Sequence, residues 1–316
     1  MSDESILEEN SLDEGEDSNI EYVYSECEPE VKLEDIYSTH TDDENITVEI
    51  NELRASSQST PVALPTVPTL VFIVPYRDRE AHYKIFSSTM KEVLLNVPPS
   101  QIFYINQRDS RGFNRGAMKN IGFLAVKNMY PNDYQNITLV FNDVDTMPSK
   151  EIVLNYVTTR GIIKHFYGFE NTLGGIVSVN AGDFEKINGF PNFWAWGYED
   201  NLLQQRAINA GIKIDRSVFY KIFDPCIIHL TDSPLRTVNR AEFDRYLQHT
   251  KEGIHSITDL QYTIRDDNTG FVDVLDFNTT TPEIVEKRSE YDLRNGPAPF
   301  KDLFMKRRIP FMRMHF

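Results

Sequence analysis

Two cysteines among 316 residues, Cys27 and Cys226, cannot build a disulfide framework, and their scarcity suits a chain made in a reducing compartment. No apolar run approaches the ~20 residues that a membrane span requires. The amino terminus also lacks the basic-then-apolar pattern of a signal peptide. The glycine-rich dinucleotide fingerprint is missing, which disfavours a nicotinamide enzyme, and no internal repeat is visible. The near-neutral balance of the body supports no basic face, so nucleic acid is not an expected partner. These absences together predict a soluble, cytoplasmic protein without a transmembrane anchor.

Acidity is plentiful but unevenly placed. The net charge is −16, and residues 1–54 alone hold 19 Asp and Glu against 2 Lys and Arg, while the remainder carries 29 acidic and 30 basic residues. The excess therefore belongs to a leader rich in Glu, Asp, Ser and Asn, which has little to bury and is expected to be disordered. Such a leader acts as a solvated spacer or a partner-binding tail. Residues 55–69, with Pro61, Pro65 and Pro68, read as a linker.

The body opens on Leu70-Val71-Phe72-Ile73-Val74, a continuous apolar run of the kind found in a central parallel strand. An amphipathic helix follows over residues 80–95, then a strand at Ile102–Ile105, a helix from Asn114 to Met129, and a strand over 138–142. This alternation predicts an α/β domain with a largely parallel sheet, in which ligands bind beyond the carboxyl ends of strands. The last of these strands ends in Phe141-Asn142-Asp143-Val144-Asp145. Period-two alternation would point Asp143 and Asp145 the same way. Two hard oxygen donors so close invite a cation, Mn²⁺ or Mg²⁺ carrying a diphosphate, although a turn capped by two aspartates has the same sequence.

Past residue 150 the pattern is irregular. A loop from Gly189 to Asp200 holds both tryptophans, Trp194 and Trp196, and runs into a helix over residues 199–210. Glu199 and Asp200 in its first turn favour the helix dipole. Aromatic rings beside carboxylates are also the composition of a sugar-binding wall.

The order of these pieces is more telling than any one of them. Phe72-Ile73-Val74-Pro75-Tyr76-Arg77-Asp78-Arg79, Phe113-Asn114-Arg115 and Asp143-Val144-Asp145 closely resemble the opening motifs of the β-1,4-galactosyltransferase family. Ile187-Asn188-Gly189-Phe190-Pro191-Asn192 and Trp194-Ala195-Trp196-Gly197-Tyr198-Glu199-Asp200 are similar to its Asn-Gly-Phe-Pro and Trp-Gly-Trp-Gly-Gly-Glu-Asp signatures. The match continues through His229 and Arg240–Arg245, covering roughly residues 70–265.

This resemblance implies a GT-A (nucleotide-diphospho-sugar transferase) fold with a central, mostly parallel sheet. It also implies metal-dependent, inverting transfer of a hexose from a UDP-sugar to a glycan or glycoconjugate. By position, Asp145 and His229 would ligate Mn²⁺. Pro75, Arg77, Arg79, Phe113, Arg115, Asp143 and Val144 would line the donor's uridine diphosphate, with Thr172, Gly175 and Trp196 close to the donor. Asp200 would be the catalytic base, with Glu199 and Trp194 beside it on the acceptor side. A carboxylate can take the acceptor proton in a single displacement, and a cation with nearby arginines can stabilise the departing diphosphate.

Three departures qualify the resemblance. Cys226 stands where vertebrate relatives place a methionine ligand, and a thiolate would shift metal preference toward softer ions such as Zn²⁺. Thr172 falls where galactose-specific relatives carry tyrosine, which leaves the donor open between galactose, N-acetylgalactosamine and glucose. The acidic leader replaces an anchor and stem, fitting a cytosolic enzyme of a virus or microbe. The domain is expected over residues 70–280. Residues 281–316, ending in a basic, apolar stretch, form an extension packed on the domain or contacting a partner. The rival readings are an idle carbohydrate-binding protein on the same fold and another metal-dependent nucleotidyl or phosphoryl transferase.

Overall fold

In a computed structural model the described residues are 67–300, except Asn96, Thr231, Asp232 and Pro297. The acidic leader, Cys27, most of the linker and the basic stretch from Lys301 onward lie outside them. The chain runs β1 (Leu70–Tyr76), α1 (Glu80–Val93), β2 (Ser100–Gln107), α2 (Arg115–Met129), β3 (Thr138–Asn142), β4 (Thr146–Pro148), β5 (Ile162–Gly168) and β6 (Ile176–Asn180). It continues through α3 (Ala181–Lys186), α4 (Glu199–Asn209), β7 (Lys213–Asp215), β8 (Tyr220–Lys221), β9 (Ile227–His229), β10 (Leu235–Asn239) and α5 (Arg240–Leu247). The last strands are β11 (Thr258–Ile264), β12 (Phe271–Asn278) and β13 (Arg288–Asp292).

One nine-stranded sheet runs β11-β12-β2-β1-β3-β6-β5-β7, with β8 also on β5. Its heart, β12-β2-β1-β3, is parallel. The expectation of a mostly parallel sheet needs correction beyond that point. Strand β6 lies antiparallel between β3 and β5, and β11 is antiparallel to β12. Apolar runs announce burial on both faces but carry no direction, so Ile176–Val179 gives no sign of being reversed.

Alternation along β1 divides the core into two. Val71 and Ile73 join Ala117, Ile121 and Phe141 on the face covered by α2. Leu70, Phe72, Val74 and Tyr76 join Phe86 and Met90 of α1 on the other face. Helix α2 begins where the Asn114 side chain accepts a hydrogen bond from the Ala117 amide at 2.9 Å, a standard N-cap.

The same helix fixes the loop ahead of α4. Buried Asn120 donates from Nδ2 to the Phe190 carbonyl (2.8 Å) and to Asn192 Oδ1 (2.9 Å), and accepts from the Phe190 amide (2.9 Å). Asn192 in turn donates to the Gly253 carbonyl at 2.9 Å. Arg206 of α4 donates to the carbonyls of Asn188 (3.1 Å), Gly189 (2.7 Å), Thr250 (2.9 Å) and Glu252. The Asn-Gly-Phe-Pro segment is thus tied by polar bonds to two helices, and it delivers residues 194–200 to the carboxyl edge of the sheet. Beyond β12, Trp194 Nε1 donates to the Thr281 carbonyl (3.1 Å), Asn239 Nδ2 to that of Ile284 (2.9 Å), and β13 pairs with β10. No helix among the described residues is long and apolar enough to cross a membrane.

Replacing Asn120 by Ala strands buried partners at Phe190 and Asn192. The expected cost is about 3 kcal/mol of folding stability, read by urea unfolding; a loss below about 1 kcal/mol would show that the loop holds without the clamp.

Candidate active site

Strand β3 stops at Asn142, and the aspartates that follow lie in a turn rather than on the ladder. Asn142 holds that turn by donating from Nδ2 to the carbonyls of Asp143 (2.8 Å) and Thr146 (2.7 Å). The alternation argument for two carboxylates pointing the same way therefore does not apply. Asp143 turns to α2, where Arg115 grips it with Nε at 2.9 Å and Nη2 at 2.7 Å.

The remaining nitrogen of Arg115 reaches the start of α4. Nη1 donates to Glu199 Oε1 at 2.7 Å and to Asp200 Oδ1 and Oδ2 at 3.0 and 2.9 Å. Lys119, one turn further along α2, stands 3.5 Å from Asp200 and 3.9 Å from Asp143. Residues from three separate sequence motifs thus meet as three carboxylates and two cations. Below them Gly174 makes room, since a Cβ there would lie 2.4 Å from Asp200 Oδ2. The Leu173 amide donates to the Asp200 carbonyl at 3.1 Å. Gly175 adopts φ +73°, and a side chain there would also meet the Tyr167 carbonyl.

Charge in this cluster is strongly redistributed. Burial pushes Asp143 upward, but Arg115 and then Lys119 outweigh it and hold the carboxyl below its usual range. Glu199 is raised by burial and then by Asp200. Its Oε2 is buried and has no hydrogen-bond partner among the described residues. Lys119 is lowered, by burial and then by Arg115. Asp145 is pushed up to about 7 by burial and by Asp143, against the opposing pull of Arg115 and Arg236.

The other expected residues divide into those near the cluster and those committed elsewhere. Pro75 and Val144 are buried in the framework. Arg77 spends its guanidinium on the β2–α2 loop, donating to the carbonyls of Gln107 (3.2 Å), Arg111 (2.6 Å) and Asp109 (2.9 Å) and to Asp109 Oδ1 (3.1 Å). It also lies 5.8 Å from the Phe113 ring centroid, so it shapes the loop that carries Phe113. Arg79 is exposed at the start of α1.

Trp194 requires a correction. It is 1% exposed, stacks on Phe277 at 5.3 Å, has Arg111 4.8 Å from its ring, and donates from Nε1 to Thr279 and Thr281. No face of that indole is left for a sugar. Trp196, two residues on, is only partly buried.

Comparison with known proteins bears on the family and the fold. Residues 26–157 match the N-terminal region of glycosyl transferase group 7, and residues 163–224 match a family described as the N-terminal domain of galactosyltransferase. The xylosylprotein 4-beta-galactosyltransferase of Caenorhabditis elegans is 30% identical over 247 residues, 72% of this chain and 81% of that protein. The chain belongs to the β-1,4-galactosyltransferase family. Mouse beta-1,4-galactosyltransferase 1 is 30% identical over 227 residues, and the alignment spans 66% of this chain but only 54% of the mouse protein. The catalytic domain of Drosophila beta1,4-galactosyltransferase 7, solved with xylobiose, has the same fold, with a TM-score of 0.51 at 20% identity. That alignment covers 67% of this chain and 94% of the Drosophila domain. A mutant of the same enzyme was solved with manganese, UDP-Gal and xylobiose.

The family's cation invites a test of the donors present. The β4–β9 ladder sets Thr146 opposite His229, and the Leu230 amide donates to the Asp145 carbonyl at 2.7 Å, so Asp145 and His229 are brought side by side. His229 is close enough to Asp143 to help lower it. The raised Asp145 carboxyl, beside a second carboxylate, is where added positive charge would be most welcome. Cys226 follows the far end of that ladder, where Pro148 pairs with Ile227, and its carbonyl accepts from the Ser149 amide at 2.8 Å. Among the described residues no three His, Cys, Asp or Glu side chains form a ready-made cation site. Asp145 and His229 present an oxygen and a nitrogen donor side by side, fewer than a divalent cation needs for its full set.

Sequence reasoning missed two groups. Lys119 carries one signal, a lysine on the inward face of α2 between Met118 and Ile121. His165 carries none. It is buried on β5, accepts from Arg216 Nε at Nδ1 (3.0 Å), and so donates from Nε2 toward the carbonyls of Tyr167 and Gly174, each at 3.0 Å. Arg216 also holds the Thr172 carbonyl (3.3 Å) and Gln204 Oε1 (2.7 Å). The two residues thereby brace the loop beneath Asp200.

Burial, and then Arg216, depress His165 from 6.5 to about 4. The unfolded chain takes up that proton near 6.5 and the folded chain near 4, so this contribution is complete above pH 6.5 and declines as pH falls toward 4. Its size is on the order of 3 kcal/mol. Urea unfolding across that window should give a flatter stability profile for His165→Asn than for the wild type. Equal slopes would show that another group titrates.

Proposed function

We propose that the chain is a metal-dependent, inverting hexosyltransferase that moves galactose or N-acetylgalactosamine from a UDP-sugar to a hydroxyl of a glycan or glycoconjugate. The observation that carries this reading is the meeting of Asp143, Glu199 and Asp200 on one guanidinium, at the carboxyl edge of a GT-A-like sheet. A binding module needs no such concentration of buried, opposed charge.

Asp200 is the proposed base. It sits at the open end of the cluster, partly exposed, over a glycine that leaves space beside its carboxylate. Inversion in one displacement needs a single proton acceptor on the acceptor's side, and a carboxylate suffices. Glu199 contributes its unpartnered Oε2, which an acceptor hydroxyl would satisfy. Trp196 offers the aromatic surface that the buried Trp194 cannot. Arg115 and the exposed Arg79 supply positive charge on the donor side. Asp145 and His229 would hold the divalent ion, Mn²⁺ first among candidates, whose chemistry is to neutralise charge on the departing diphosphate.

Donor choice falls to the turn at Thr172, whose hydroxyl donates to the Phe169 carbonyl at 3.3 Å and which leads directly into Leu173-Gly174-Gly175. A threonine there leaves more room than a tyrosine for a 2-acetamido group.

The deciding assay is UDP release and transfer by the purified protein with UDP-galactose, UDP-N-acetylgalactosamine and UDP-glucose, with Mn²⁺ and with chelator. Metal-dependent release that prefers one donor is expected. Asp145→Asn should remove metal-dependent turnover, and Asp200→Asn should lower transfer by about 10³-fold while sparing UDP binding. Near-normal transfer by Asp200→Asn would sink the base assignment. Metal-dependent UDP binding without turnover of any donor would favour a binding protein on this scaffold.

A further inference from the structure

Lys119 has no part in the mechanism above, yet it is among the most deeply buried charges in the protein. Its side chain is 1% exposed, and its ammonium lies 4.5 Å from the Phe190 ring, 3.5 Å from Asp200 Oδ1 and 3.9 Å from Asp143 Oδ1. Withdrawing an ammonium from water costs several kcal/mol, and an apolar side chain of similar length would fill the same space at no such cost. The charge therefore needs a use.

That use follows from the commitments of Arg115. Its guanidinium is spent on the cluster: Nε and Nη2 on Asp143, Nη1 on Glu199 and Asp200. A diphosphate approaching this edge competes for the same N–H groups, because phosphate oxygens match a guanidinium as well as carboxylates do. Whatever Arg115 gives to the donor it withdraws from Asp200. Lys119 is sealed behind Phe190 and α2 and cannot follow.

We propose that Lys119 is a positioning residue for Asp200, the resident cation that holds this carboxylate over Gly174 and offsets its charge while Arg115 serves the donor diphosphate. The proposal rests on the transferase reading. It explains why two cations one helical turn apart face the same carboxylate: one is partly exposed and exchangeable, the other buried and fixed. It also assigns the Phe190 ring a role, since at 4.5 Å it helps to hold the ammonium within reach of Asp200 and Asp143.

The test compares wild type, Lys119→Met, Lys119→Arg, Asp200→Asn and the Lys119→Met/Asp200→Asn double variant. Lys119→Met should lower kcat for transfer about tenfold or more, leave metal-dependent UDP affinity within about twofold and keep a cooperative thermal transition. Lys119→Arg should recover part of the rate. The double variant should transfer no more slowly than Asp200→Asn alone, because Lys119 acts through that carboxylate. Normal transfer by Lys119→Met overturns the proposal and leaves the transferase reading intact. Parallel loss of UDP binding and transfer, or full additivity in the double variant, also overturns it and assigns Lys119 to structure. Wild type that transfers from none of the donors overturns the transferase reading, and this proposal with it.

Discussion

Everything at the carboxyl edge of the sheet depends on the guanidinium of Arg115. Three carboxylates, from the end of β3 and the start of α4, could not be drawn together and half withdrawn from water without a cation placed among them. A lysine at position 115 would offer a point charge on a flexible stem. Arginine offers a planar fork, with two nitrogens gripping Asp143 and the third shared by Glu199 and Asp200. The two motifs are far apart in sequence, and this fork is what makes their carboxylates one site.

The fork can do this only because the scaffold presents it. Asn114 caps α2 and sets the helix's first turn directly beneath the cluster. Asn120, further along the same helix, pins Phe190 and Asn192, so the segment that ends in Glu199 and Asp200 is registered against the helix that bears Arg115. The opposite wall is braced by His165 and Arg216 through the carbonyls of Gly174 and Thr172. Buried polar bonds, more than apolar packing, relate the three walls to one another. Such bonds have preferred directions, and apolar contacts do not.

Much of this was legible from residues alone, for physical reasons that also explain the failures. Continuous apolar runs marked β1 and β3, and Asn114 marked the start of α2, because burial on both faces and helix capping leave local signatures. Strand direction leaves none, so the reversal of β6 went unread. Alternation does not reach Asp143 and Asp145, because the ladder ends at Asn142, whose side chain bonds the turn that follows. Trp194 and Trp196 look alike in sequence, and only the positions of Phe277 and Thr281 bury the first and leave the second partly open. The resemblance alone sets Cys226 among the cation's ligands, whereas the β4–β9 register is what brings His229 opposite Thr146 and so beside Asp145. Lys119 belongs to no motif, and only the fold shows that its position on α2 faces inward.

The burial of so much charge has a consequence for how this protein balances stability against function. Asp145 and Glu199 are both raised, and Lys119 lowered, by their removal from water. Each is less comfortable folded than it would be exposed. An apolar replacement for the cluster would tend to stabilise the fold. The carboxylates and cations persist in a sequence that otherwise fills its core with Phe, Ile, Leu and Val, so their position is best explained by what must enter between them. A ligand carrying its own negative charge, and a cation to accompany it, would redistribute the same interactions: Arg115 toward the diphosphate, the cation toward Asp145, Lys119 remaining with Asp200. On the proposed function, the raised groups Asp145 and Glu199 are the ones that a cation and an acceptor hydroxyl would relieve. That is the arrangement expected of a site selected for its complexes and not for its ligand-free state.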